Sequence, residues 1–122
     1  MLRSLLRLFC VAFALQLVNG RALTDDGRFE IKDGNCDKAK ATDRVFANHV
    51  TKIGLPFITQ KADVSWYGDE TIYCLMVTSE LDESEGSLAY ITEGGVDHKF
   101  MKVELVSKMG HGLDYMIRVF AK

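Results

Sequence analysis

The sequence predicts an all-β chain: a small antiparallel β-sandwich or flattened barrel of about six to seven strands, after an N-terminal signal peptide. Three observations carry that expectation. Apolar, β-branched segments of strand length recur from residue 28 to the C-terminus with turn residues between them. No convincing long helix interrupts them, and the first twenty residues form an apolar leader.

In the leader, Arg3 and Arg7 precede the run Leu8 to Leu17, which is too short to span a bilayer comfortably. Asp25, Asp26 and Arg28 follow with no stop-transfer flank, so residues 1–20 read as a secretory signal peptide. Val18 and Gly20 are small enough for the −3 and −1 positions, which puts cleavage after Gly20, with Ala22 as the second choice. The alternatives are a membrane anchor or a buried N-terminal helix. Residues 21–122 have the length of a single β-rich domain, expected to be secreted as a soluble monomer or small oligomer with no membrane span after cleavage.

Residues 21–27 are polar and expected to fray. Arg28 to Lys32 alternates charge with apolar bulk, the signature of a half-buried strand, and Asp33-Gly34-Asn35 supplies turn chemistry. Between Asp37 and Gly54 two periods compete. Phe46, Val50 and Ile53 sit at helical spacing, while Val45, Ala47 and His49 line one side of a strand; the extended neighbours favour the strand. Pro56, the only proline, marks an edge or a bend, after which Phe57-Ile58-Thr59 continues extended. Ala62 to Tyr67 alternates, with Trp66 as a core or core-rim anchor, and Thr71 to Thr78 reads as a long buried strand. Ser79 to Gly86 is an acidic loop with no calcium-loop spacing, expected to be a solvated hairpin connection before Leu88 to Thr92. Gly94-Gly95 and Gly110-x-Gly112 suit the positive φ of tight hairpins, flanking a strand from His98 to Ser107. In the last strand, Asp114 to Ala121, residues Tyr115, Ile117 and Val119 share one face and Met116, Arg118 and Phe120 the other. Ile72, Val77, Ile91 and Leu105 are the expected core positions.

Loss of the leader takes away Arg3 and Arg7 but no acid, so 15 basic residues become 13 against 17 acidic ones, a formal charge of −4. Such a surface repels phosphate backbones, and nucleic acid is not an expected partner. The one basic cluster, Lys38, Lys40 and Arg44, is interrupted by Asp37 and Asp43 and reads as a solvated face. Cys10 leaves with the leader. Cys36 and Cys74 remain for an oxidising compartment and are expected to pair, closing a loop worth on the order of 3–4 kcal/mol; the alternative is a buried free thiol at Cys74.

No catalytic constellation appears. His49, His98 and His111 have no partner at a diagnostic spacing, and the chain holds no nucleophile elbow, metal-ligand pattern or phosphate loop. No catalytic residue, cofactor or metal is expected. The accessible candidates for contact with a partner are the turn residues Asp97, His98 and His111, the last read as an exposed loop residue between two glycines.

Gly86, Ala89, Ile91, Gly94-Gly95, Val96, Ser107, Gly110, Gly112, Tyr115 and Val119-Phe120 resemble the insect multiprotein bridging factor 2 family, over about residues 62–122. That family includes moth midgut proteins induced by pathogens and small secreted proteins of fly saliva and gut. Two departures stand out: Asp97 occupies a position where the family usually has glycine, and Phe120-Ala121 replaces its Tyr-Gly ending. The resemblance implies a secreted, non-catalytic protein of gut, saliva or haemolymph that answers microbes or feeding by binding an unidentified protein or microbial surface. The alternative it carries is a transcriptional co-activator bridging a DNA-bound factor to the basal machinery; a further alternative is a small-ligand carrier.

Overall fold

Alternation of apolar and polar side chains forces each strand to bury one face, and two packed sheets satisfy that demand. The computed structural model describes residues 27–122. The leader, both cleavage sites, Cys10 and the polar residues up to 26 lie outside the described residues. Seven antiparallel strands run β1 Ile31–Gly34, β2 Arg44–Lys52, β3 Lys61–Tyr67, β4 Ile72–Ser79, β5 Leu88–Gly94, β6 Phe100–Val106 and β7 Leu113–Ala121. They form a four-stranded sheet in the order β1-β4-β7-β2 and a three-stranded sheet in the order β3-β6-β5, so the expected sandwich is the observed one.

The core lies between the sheets. Ile31, Ile72, Leu75, Val77, Leu113, Tyr115, Ile117 and Val119 from the larger sheet meet Val64, Ala89, Met101, Val103 and Leu105 from the smaller, with Trp66 packed at the rim. The alternation read in the last strand holds, with Tyr115, Ile117 and Val119 buried together. Of the expected core positions, Ile72, Val77 and Leu105 are fully buried, whereas Ile91 is only partly so. It sits beside a register irregularity between Ile91 and Glu93 that turns the strand.

Several local expectations yield to tertiary pairing. The first strand is displaced: Asp33 and Gly34, read as a turn, pair with Leu75 and Cys74, while Arg28 bridges to Ala89 of the other sheet. The disputed segment divides, with short 3-10 turns at Cys36–Lys38 and Ala41–Asp43 before the nine-residue strand β2. Val45, Ala47 and His49 are exposed on it, and Phe46 and Val50 pack on the core. Phe57-Ile58-Thr59 is not extended, because the chain turns at Pro56 and Phe57. Neither the 80–87 loop nor the 107–112 loop is a hairpin, since each carries the chain from one sheet to the other. Only Gly94 and Gly95, at φ +67° and +104°, serve the tight β5–β6 hairpin, and β6 begins at Phe100 instead of His98.

Cys36 and Cys74 are bonded, with their Cα atoms 5.0 Å apart. The bridge holds the 35–43 connection against β4, where the Asn35 amide donates to the Tyr73 carbonyl at 2.8 Å and the Tyr73 hydroxyl to Asp43 at 2.6 Å. Lys38 and Lys40 on this connection and Arg44 at the start of β2 are exposed, the solvated face their interleaved acids suggest.

Candidate functional site

Loops between strands ordinarily offer polar groups to water, and one end of this sandwich does the opposite. β2 and β3 are joined by residues 53–60, and β6 and β7 by residues 107–112, at the same end of the molecule. Ile53, Leu55, Phe57 and Ile58 on the first connection and Met109 on the second are exposed, making five of the eight large hydrophobic residues that the described residues leave exposed. Phe57 is 88% exposed and Ile53 79%.

These side chains are held on rigid backbone. The Gly110 amide donates to the Ile58 carbonyl at 2.9 Å, the Ser107 amide to the Gln60 carbonyl at 2.9 Å, and the Gln60 amide to Ser107 Oγ at 2.8 Å. The Gln60 side-chain amide reaches the Ile53 carbonyl at 2.9 Å, and the Ile58 amide closes the turn on the Leu55 carbonyl at 3.2 Å. The two connections approach so closely that a Cβ on Gly112 would lie 2.3 Å from the Lys52 carbonyl oxygen. Phe57 takes φ +64°, a left-handed backbone that costs a bulky residue about 1–3 kcal/mol and persists only where the surroundings impose it. Sequence reading missed this surface. Its signal was four large apolar residues around the lone proline between Lys52 and Lys61, where proline denies them a central strand.

The three sequence-predicted contact residues are not brought together. Asp97 and His98 lie in the β5–β6 turn at the opposite end from His111. Both are exposed, and both also stitch the hairpin to the other sheet, since the Asp97 amide donates to the Ile72 carbonyl and the Ile72 amide to the His98 carbonyl, each at 2.8 Å. Asp97 sits at φ +71°, which explains why glycine suits that position and why aspartate, tolerant of left-handed backbone, can replace it. Beside it Phe100 stacks on Tyr67 at 5.6 Å and meets the His98 ring edge-on at 5.8 Å. His111 is half-buried, not a free loop residue, because its Nδ1 pairs with Glu85 Oε1 at 3.0 Å and ties the 107–112 loop to the 80–87 loop.

His49 on β2 pairs through Nε2 with Asp114 on β7, and Thr51 Oγ1 lies 3.4 Å from the same nitrogen. A proton relay needs the imidazole between its two partners, one on each ring nitrogen. Here carboxylate and hydroxyl share one nitrogen, so the group is a hydrogen-bonded cluster on a sheet surface. Among the described residues no three of His, Cys, Asp and Glu converge as a metal site, and no helix is long and apolar enough to cross a membrane.

Two tyrosines, Tyr115 in the core and the partly exposed Tyr73, have hydrogen-bonded hydroxyls with raised pKa values. Tyr115 is buried and donates its hydroxyl to the Phe29 carbonyl at 2.7 Å, with Ser87 Oγ 3.1 Å away. Burial pushes its hydroxyl above the ordinary tyrosine value, Glu30 adds to that, and the Ser87 bond opposes it. Desolvation and the bond to Asp43 likewise raise Tyr73, against a smaller opposing effect of the Lys40 amide.

Compared with known proteins, residues 37–121 match a sequence family described as Transcription activator MBF2, a match that starts well before the residues of the C-terminal glycine scaffold. No curated protein and no solved structure matches the chain.

Proposed function

This chain belongs to the MBF2 family, and from that premise we propose that it is a secreted, non-catalytic protein that acts by binding, in gut, saliva or haemolymph of an insect, in response to microbes or feeding. The observation that carries binding is the rigid apolar end formed by residues 53–58 and Met109, which exposes side chains that ordinarily belong in a core. Export is supported by the leader in residues 1–20 and by the Cys36–Cys74 bridge, since such bonds persist in oxidising compartments.

A second reading follows from the family description, which names a transcription activator. It requires the chain to reach the nucleus with its leader intact and its cysteines in a reducing milieu. The two separate cleanly when a tagged copy is followed in native tissue during microbial feeding. Accumulation in lumen or saliva, induction by challenge and an N-terminus at Arg21 are expected. Nuclear accumulation of an uncleaved chain bound to transcription factors would replace secretion with the co-activator role.

A further inference from the structure

We infer that the apolar end is a membrane-contact surface, and that its partner is the headgroup and outer acyl region of an anionic phospholipid bilayer; this deepens the binding role proposed above and rests on it. Four observations converge. Phe57, Ile53 and Met109 are exposed by 88%, 79% and 60%, and they project from adjoining loops with Leu55 and Ile58, so one end of the sandwich is tipped with apolar bulk. Lysines bracket that tip: Lys52 and Lys61 flank the first loop, Lys108 adjoins Met109, and all three are exposed. No acid lies between Lys52 and Lys61, although acids outnumber bases along the chain. Finally, five hydrogen bonds and the close packing of Gly54 on the 110–112 backbone fix the loops, so binding would not have to order a flexible segment.

The arrangement suits an interface between water and lipid. Apolar side chains enter the acyl boundary while lysine stems lie along it and keep their ammonium groups at the phosphate level. Each lysine near an anionic leaflet adds attraction that salt screens. A protein partner of ordinary size would instead be expected to cover a broad face with a mixed polar rim. Of the acids at this end, Asp114 on β7 lies opposite Thr51 and is paired with His49, and Asp63 lies two residues beyond Lys61 on β3. Asp82, Glu83 and Glu85 belong to the 80–87 loop, which packs against residues 108 and 111, with Glu85 paired with His111.

The test uses the leader-free chain with its disulfide intact, floated with vesicles of phosphatidylcholine alone or mixed with phosphatidylserine. Binding to the mixed vesicles, weakened by salt and by K52E/K61E, is expected. Phe57→Asn with Ile58→Ser should weaken it about tenfold or more. Asparagine accepts the left-handed backbone at 57, so the fold is kept, which far-UV circular dichroism checks. F57W keeps the apolar bulk and should retain binding, with its added emission shifting to the blue on the mixed vesicles. Equal binding by the 57/58 variant, or no binding to either vesicle, would overturn the lipid assignment. So would a concentration-dependent dimer that the same variant abolishes, because the surface would then belong to a second copy. In each of those cases extracellular recovery of the chain still decides the secretion proposal separately.

Discussion

Replacing both Cys36 and Cys74 with alanine should cost the fold about 4 kcal/mol. The bridge joins residues 38 apart in sequence, and closing a loop of that length removes unfolded-chain entropy equivalent to about 4 kcal/mol at room temperature. Native contacts do not recover this, because the loss lies in the unfolded ensemble. The 35–43 connection should nevertheless stay docked in the folded variant, held by the Asn35 amide on the Tyr73 carbonyl at 2.8 Å and by Tyr73 on Asp43 at 2.6 Å. Cys74 is fully buried, so its lost sulfur adds a small cavity contribution. Equilibrium urea unfolding followed by Trp66 emission is the assay. With a slope of about 1–3 kcal/mol/M, the midpoint should fall by about 1.3–4 M. The oxidised chain treated with a reductant should move by a similar amount. A loss below about 1 kcal/mol in both experiments would refute the argument that the bridge acts by restricting the unfolded chain.

Three further outcomes follow from the packing. Leu105→Ala, at a fully buried site, should cost about 2–5 kcal/mol, and Ile91→Ala at the half-buried bulge distinctly less; equal losses in urea titrations would place both in one environment. Gly112→Ala drives a Cβ onto the Lys52 carbonyl and should destabilise by about 1–3 kcal/mol or more, whereas Gly110→Ala meets no atom within 4 Å and pays only for its positive φ, so thermal melts should rank Gly112 above Gly110. The Tyr115 hydroxyl has its pKa raised by folding, so its stabilising contribution is complete below about pH 10 and is lost as pH climbs through the raised native value. Tyr115→Phe should cost about 1–3 kcal/mol near neutrality, because the Phe29 carbonyl and Ser87 lose their partner, and it should flatten the alkaline fall in stability; an unchanged slope in the variant would assign that fall to another group.

From residue order alone, the strand content, the buried face of β7 and the one possible cysteine pair could be read. Each is encoded locally or by elimination: alternation at period two assigns faces, and with Cys10 assigned to the expected leader the other two of the three thiols leave a single pairing. Which strands lie side by side is a different kind of information. Gly110 takes the same positive φ that a tight hairpin would use, yet it serves a crossing between sheets, because backbone freedom at a glycine says where the chain turns and nothing about what it turns towards. The same limit hid the apolar end. Leu55, Phe57 and Ile58 have the composition of a strand core, and only the placement of β2 and β3 at facing sheet edges leaves them outside. His111 likewise found Glu85, 26 residues away, through a loop crossing that no local pattern announces. Side-chain periodicity is a property of a few neighbouring residues, while the choice of partner is decided by total apolar burial across the chain, and only the folded arrangement expresses that sum.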